Sequence, residues 1–207
     1  MRNPILRPLA AAFALALAAP AGAGGLFGID HALAPVDSGA WARRYTLGLE
    51  YGVVAVDAAG ALWFGGETEP GRSLWRSADA MIAGQLAAQG AKYAFGRERP
   101  SQSSDPNLWF RGLRAQSFPS GEVTLQASFV TPLILSGMER TPWVALLELL
   151  PAYDAAARVR EGAHWQSDVL AGWALGTAAG IWAAGRQDPF VLTLLPRGFM
   201  VGLRARF

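Results

Sequence analysis

Three short stretches of the chain carry residue types that together could bind an anion and position a histidine beside it. The first, KYAFGRERP at residues 92–100, places Lys92 and Arg99 seven positions apart at a predicted helix end. Seven residues are close to two helical turns, so both cations can converge on one anion. Lys92 is also the only lysine among the 18 basic residues, which indicates a specific role for it.

The second stretch is PSGE, residues 119–122, at the predicted start of a helix. Ser120 can cap such a helix, and the backbone N–H groups of Gly121 and Glu122 then point outward and can hold an anion. Glu122 is itself anionic, so a negative side chain stands where a negative ligand would bind. A plain helix cap explains the same residues without any ligand.

The third stretch is ARVREGAHWQSD, residues 157–168. His164 and Asp168 are four positions apart, the helical spacing at which a carboxylate can hydrogen-bond an imidazole and fix its tautomer. Arg158 precedes them and adds a third cation. Taken singly, such a pair is more often a structural hydrogen bond, and basic residues near helix ends are usually solvated.

Together, in this order, the three stretches resemble the motif of the type 2 phosphatidic acid phosphatase superfamily. This family includes bacterial class A acid phosphatases, membrane lipid phosphatases and vanadium-dependent haloperoxidases. Its motif is K, six residues, RP; then PSGH; then SR, five residues, H, three residues, D. The matching positions are Lys92, Arg99, Pro100, Pro119, Ser120, Gly121, Arg158, His164 and Asp168. Glu122 replaces the second histidine of the motif and Ala157 replaces its serine, and the resemblance covers about residues 73–185.

The resemblance implies a helical bundle whose three motifs meet at one end, and a phosphatase that needs no metal or other cofactor. It implies that His164 is the nucleophile that forms a phosphohistidine, and that Asp168 orients its imidazole. The implied phosphate-binding residues are Lys92, Arg99, Ser120, Gly121 and Arg158. Phosphoryl transfer is catalysed mainly by positioning and charge stabilisation, which suits this set of cations.

Glu122 leaves three roles open. In the family, the replaced histidine donates a proton to the leaving alkoxide, and a glutamic acid can do so if its pKa rises from about 4.3 to roughly 6. Alternatively, Glu122 acts as a base on the water that hydrolyses the phosphohistidine, or organises a substrate with a free hydroxyl or amine. In the third case the first step is impaired, and the protein binds phosphorylated ligands or has a structural role in the envelope.

The elements that must position these residues are predicted to be helices. Residues 41–64 read as a helix, with a strand hairpin as the alternative, and the stretch 73–96 has an apolar stripe at helical spacing formed by Leu74, Met81, Ile82, Leu86 and Ala87. Residues 97–119 read as a loop, and further helices are predicted over 120–137, 141–157 and 163–184. The short connections predict antiparallel neighbours in an all-α bundle.

The two ends of the chain differ from this pattern. Residues 1–23 have the basic start, short apolar run and small residues of a secretory signal peptide, with cleavage before Gly24; an uncleaved anchor is the alternative. Residues 24–207 then form one domain, which begins with an extended arm, residues 24–40, on which His31 is expected to be solvated. The alternation in the tail, residues 190–207, predicts a small β-hairpin. A single strand pair cannot close a barrel, so we give an outer-membrane barrel little weight.

Composition excludes several classes of protein. The chain has no cysteine, so neither disulfides nor thiol chemistry contribute. Without residues 1–23 it has 16 basic and 16 acidic residues, which does not indicate a nucleic-acid surface. We therefore expect an exported phosphatase of phosphate monoesters, soluble or peripheral to a membrane. A compact integral membrane protein, a phosphate-binding envelope protein and a vanadate-dependent haloperoxidase are the alternatives.

The aromatic residues near the motifs bear on the substrate. Trp109, Phe110, Phe118 and Trp165 would suit a lipid or another amphipathic phosphate ester, and core packing explains them equally well. The sequence does not indicate an oligomeric state.

Overall fold

The computed structural model describes residues 24–137 and 141–191, and within them the chain folds into five α-helices without strands. The helices are α1 (Arg43–Phe64), α2 (Glu69–Phe95), α3 (Gly121–Gly137), α4 (Leu149–Arg160) and α5 (Gln166–Ala184), with a 3₁₀ helix at Pro142–Glu148 before α4. The all-α prediction is confirmed, and residues 41–64 are helical and not a hairpin. The predicted signal peptide lies outside the described residues, as does the predicted C-terminal hairpin from residue 192 onward.

Helix α3 is the centre of the bundle because it packs against all four other helices. Its closest neighbour is α5, which presents three glycines at helical spacing to it. A Cβ atom at Gly172 would lie 2.4 Å from the carbonyl oxygen of Ser120, and one at Gly176 would lie 2.3 Å from that of Thr124. These glycines therefore let the two backbones touch, which holds the start of α3 directly against the start of α5.

The buried face of α2 differs from the predicted apolar stripe. Met81 is buried, but Ile82 and Leu86 are 50% and 71% exposed, so the predicted stripe is wrong. The buried positions are mainly small or polar: Ser73, Ser77, Ala80, Gly84, Ala88 and Lys92. Small residues allow closer helix contact than large apolar ones, and the Ser77 hydroxyl donates to the carbonyl of Phe129 at 2.8 Å.

The arm before α1 packs onto the bundle. Asp30 is 1% exposed, and its Oδ1 accepts a hydrogen bond from the backbone N–H of Ser167 at 2.8 Å. His31 is half-buried, and its backbone N–H donates to Gln166 Oε1 at 3.1 Å. The prediction of a solvated His31 is therefore wrong, because the carboxylate beside it fixes the arm to the first turn of α5.

Helix α1 has an apolar outer surface. Tyr51, Val56, Leu62 and Trp63 are all exposed on it. Within the described part of the chain, α1 is the one helix that is long and apolar enough to cross a membrane, by length and composition only. Such an exposed apolar surface often marks a membrane or protein contact.

Candidate active site

His164 lies in the short loop between α4 and α5, with 3% of its surface exposed. Its Nδ1 is 2.7 Å from the carbonyl oxygen of Ser117. A carbonyl oxygen can only accept, so Nδ1 carries the hydrogen and Nε2 keeps its lone pair. Burial lowers the pKa of His164 to about 4, although the carboxylate of Asp168 acts in the opposite direction. The imidazole is therefore neutral near pH 7 and has one nucleophilic nitrogen.

Asp168 lies in the first turn of α5 and is completely buried. Its Oδ2 accepts hydrogen bonds from the Ser117 hydroxyl at 2.5 Å and from the backbone N–H of Trp165 at 2.8 Å. Burial would raise the pKa of Asp168, but His164, Arg97 and the Ser117 hydroxyl outweigh it and hold that pKa below its usual value. Asp168 is thus a fixed carboxylate that also caps its own helix.

Asp168 and His164 are close without a direct hydrogen bond. Nδ1 of His164 is 3.8 Å from Oδ2 of Asp168, which is beyond hydrogen-bond distance. His164 also precedes α5, so the two residues do not share a helical face as their spacing suggested. Ser117 connects them instead, because its carbonyl holds the imidazole while its hydroxyl holds the carboxylate. Sequence reasoning missed Ser117 because it stands two residues outside the PSG motif.

Arg97 supports Asp168 from behind and is also absent from the predicted site. Its guanidinium is fully buried and donates to Asp168 Oδ1 and Asp30 Oδ2, each at 2.6 Å. A third hydrogen bond goes to Ser167 Oγ at 2.8 Å. Nothing in KYAFGRERP distinguishes this buried arginine from Arg99, and its arm partner Asp30 lies 67 residues away. The network therefore had no local sequence signal.

The three predicted cations converge beside His164. Lys92 Nζ donates to the carbonyl of Gln116 at 2.8 Å, and a Cβ atom at Gly121 would lie 3.6 Å from Lys92 Cε. Burial, and then the charge of Arg99, lowers the pKa of Lys92 to about 8. Burial and then Arg158 likewise lower the pKa of Arg99. Neighbouring cations that disfavour one another's charge form a site that an anion would stabilise.

Ser120 adds a hydrogen-bond donor to this site. Its backbone N–H donates to the carbonyl of Asp168 at 3.0 Å, which joins the second and third motif stretches. Its hydroxyl is buried and has no partner among residues 24–137 and 141–191, so it does not make the predicted cap hydrogen bond. A buried hydroxyl of this kind is suited to a bound oxygen atom.

The pH dependence of anion binding should follow Lys92. Its ammonium is charged below a pKa of about 8 and neutral above it, so the affinity for inorganic phosphate should fall as the pH rises through 8. In Lys92→Arg the guanidinium stays charged, and this alkaline decline should disappear. Titrations with inorganic phosphate from about pH 6 to about pH 10 test this; an unchanged alkaline decline in the variant would exclude Lys92 as its cause.

Glu122 lies at the edge of the same site in an ion pair with Arg43 from α1. Arg43 donates to both carboxylate oxygens, at 2.5 and 2.8 Å, and Arg158 Nε is 3.5 Å from Oε2. Burial would raise the pKa of Glu122, but the hydrogen bonds from Arg43 and the charge of Arg158 outweigh it, so the pKa is lowered. Glu122 is therefore ionised in the site as described. Arg43 had no sequence signal, because α1 lies outside the motif.

The aromatic residues divide between packing and exposure. Trp109 and Phe118 pack edge to face with centroids 5.1 Å apart, and the guanidinium of Arg97 lies 4.4 Å from the Trp109 ring. Trp165 is completely buried, whereas Phe110 is 75% exposed. Three of the four aromatics thus support the buried network, and Phe110 lies on the surface.

Comparisons with known proteins agree with the motif. The sequence profile described as the PAP2 superfamily matches residues 73–189, which include every predicted site residue but not Arg43. A lipid A 1-phosphatase of Porphyromonas gingivalis is 32% identical over 102 residues, which are 49% of this chain and 20% of the relative. The aligned part is thus about a fifth of that relative's length. No solved structure matches the chain.

Proposed function

Because the chain belongs to the PAP2 superfamily, we propose that it is a phosphatase that hydrolyses phosphate monoesters through a phosphohistidine on His164. The observation that carries the proposal is the neutral, buried His164 beside three converging cations. Nε2 is the nitrogen that keeps its lone pair, since Nδ1 donates to the Ser117 carbonyl. That arrangement suits attack on a phosphorus atom held by cations.

Each remaining residue of the site has a role in this reaction. Lys92, Arg99 and Arg158 hold the phosphoryl oxygens, with the Ser120 hydroxyl and the N–H of Gly121 as further donors. Attack by Nε2 leaves a positive charge on the imidazole. Asp168 stabilises that charge at 3.8 Å, and the Ser117 carbonyl keeps the ring in place.

Glu122 is the group that transfers protons in the two steps of the reaction. Its ionised state suits the second step, in which it accepts a proton from the water that attacks the phosphohistidine. Donation to the leaving alkoxide in the first step requires that Glu122 first gain a proton. The same ion pair with Arg43 favours the second candidate function, a phosphate-binding protein in which Glu122 no longer supports catalysis.

Lipid phosphates are the substrates we propose, and an envelope membrane is the proposed location. The relative from Porphyromonas gingivalis is a lipid A 1-phosphatase by name. The exposed apolar side chains of α1 and Phe110 offer a surface for a membrane or a lipid tail. The predicted signal peptide, residues 1–23, would deliver the protein to the periplasm or cell envelope.

A phosphate-release assay tests this function and the role of Glu122. The purified protein should release phosphate from phosphatidic acid in detergent micelles and from p-nitrophenyl phosphate. In Glu122→Gln the second step loses its base, so kcat for p-nitrophenyl phosphate should fall by roughly 10²-fold after a rapid first turnover of nitrophenol.

Glu98→Gln is the matched control, because Glu98 contacts the exposed Arg111 outside the phosphate site; it should behave as the wild type. Wild-type protein that binds inorganic phosphate but releases none from either substrate would support the phosphate-binding alternative. A Glu122→Gln variant without the rapid first turnover would contradict the proposed base.

A further inference from the structure

A second buried carboxyl group, that of Asp154, lies one helical turn away from the ion pair of Glu122. Asp154 is four residues before Arg158 on α4, and Gln126 is four residues after Glu122 on α3. Arg158 contacts Glu122, while Leu150, about two turns before Arg158 on α4, packs against the core cluster formed farther along α3. The two helices therefore run antiparallel, with Asp154 and Gln126 at one level, about 6 Å along the axis from the ion pair.

Both of these side chains are fully buried. Neither oxygen of Asp154 and neither polar amide atom of Gln126 has a partner within residues 24–137 and 141–191. The charged groups that act on Asp154 are Glu122 from α3, Arg158 from α4, and Glu50 and Arg43 from α1. A buried carboxylate without hydrogen bonds is costly, so Asp154 is stable here as the neutral acid. Burial, and then the charge of Glu122, raises the pKa of Asp154 to about 8.

Building on the phosphatase function proposed above, we propose that Asp154 and Glu122 share one proton, which lies on Asp154 in the empty site and moves to Glu122 when a phosphate ester binds. In the empty site Arg43 and Arg158 keep Glu122 ionised. A phosphate dianion places negative charge beside Glu122 and competes for Arg158, and both effects raise the proton affinity of Glu122. Two carboxyl groups that hold one proton between them can act as acid and base in turn.

The amide of Gln126 provides the connection between the two carboxyl groups. A water molecule bound to its unpartnered atoms would complete hydrogen bonds for Gln126 and Asp154, and buried waters commonly serve polar groups of this kind. Such a water would carry the proton across the single helical turn that separates Asp154 from Glu122. Asp154 is therefore a positioning residue for the proton, and Glu122 is the group that meets the substrate.

The proton balance closes over one catalytic cycle. In the first step the Nε2–P bond forms and the P–O bond to the leaving group breaks; Glu122 gives its proton to the departing alkoxide, and both carboxyl groups are then ionised. In the second step water attacks phosphorus and the Nε2–P bond breaks. The proton lost by that water passes to Glu122 and returns to Asp154, which restores neutral His164 and releases inorganic phosphate.

The dependence on the leaving group tests this proposal. Asp154→Asn keeps the shape of the side chain but cannot supply a proton, so kcat/KM for an alkyl phosphate should fall roughly 10- to 100-fold. For p-nitrophenyl phosphate, whose leaving group departs without a proton, kcat/KM should change less than about twofold. Asp57→Asn is the matched control and should affect neither substrate. Asp57 is also buried, and its Oδ1 has no partner in the part of the chain that the structure describes, but it lies about two turns beyond Glu50 on α1.

A spectroscopic measurement tests the proton directly, without catalysis. Infrared difference spectra on addition of inorganic phosphate to the wild-type protein should show one protonated carboxyl band lost and another gained, as the proton leaves Asp154 for Glu122. The pair of bands should be absent in Asp154→Asn and in Glu122→Gln, and present in Asp57→Asn.

The outcomes separate this proposal from the proposed function. Equal losses on both substrates in Asp154→Asn, or no loss on either, would overturn the shared proton, as would wild-type spectra without the pair of bands. A wild-type protein that binds phosphate, shows the bands and hydrolyses neither ester would retain the shared proton and refute the phosphatase.

Discussion

Replacing His164 with alanine should reduce phosphate release by at least roughly 10⁴-fold, because the variant lacks the imidazole nitrogen that attacks phosphorus in the proposed mechanism. The remaining cations should still bind phosphate, so the affinity for inorganic phosphate should change far less than kcat. Rapid alkali quench of the wild-type enzyme with a ³²P-labelled ester should trap a phosphoprotein that loses its label when it is afterwards treated with acid, and His164→Ala should trap none.

The second histidine of the chain provides the matched control. His31 contacts Gln166 mainly through its backbone, so His31→Ala should retain both activity and the labelled intermediate. Labelling that survives in His164→Ala and disappears in His31→Ala would show that His31 is the nucleophile and would contradict the proposal. Full activity of His164→Ala would show that the reaction does not proceed through a phosphohistidine on His164.

Replacing Arg97 with methionine should have the largest effect on stability. The change keeps much of the apolar stem but leaves Asp30 and Asp168 buried without their shared cation. Removing one partner of a buried ion pair typically costs about 3–5 kcal/mol, and here two carboxylates lose the same partner. We expect the free energy of unfolding in urea to fall by at least about 3 kcal/mol, and activity to fall as Asp168 loses its fixed position.

Arg111→Met is the control for this change. Arg111 is largely exposed and pairs with Glu98 at 3.3 Å, so its removal should cost less than about 1 kcal/mol. A rescue experiment adds a second criterion: Asp30→Asn in the Arg97→Met background removes one of the stranded charges and should recover part of the lost stability. Equal destabilisation by Arg97→Met and Arg111→Met would show that the buried network contributes nothing specific.

The sequence supported the family, the helical fold and the convergence of the motif residues for different physical reasons. Helices are visible in periodicity, and fixed spacing makes the motif specific even though each element is weak. The predicted stripe on α2 failed because Ile82 and Leu86 are apolar but face outward, while Ser77 and Gly84 face the core. The buried face of α2 carries small side chains because it packs tightly against α3. A prediction from hydropathy misses this face, since hydropathy does not depend on the size of a side chain.

The residues that surround the motif could not be predicted, because their partners are remote in sequence. Arg43 is 79 residues from Glu122, and Ser117 is 47 residues from His164 and 51 residues from Asp168. A single sequence contains no signal for such contacts. The open question about Glu122 had the same origin: the direction of its pKa depends on Arg43, whose position only the fold determines.

The docking of the arm determines when the site can exist during synthesis. Arg97 joins Asp30, 67 residues away, to Asp168, 71 residues away, and the arm meets Ser167 across 137 residues. Pairs of neighbouring helices can form early, but this network cannot close until α5 is present to receive the arm. The arm should therefore remain open to proteases until α5 has docked, since distant contacts are the slow ones to form.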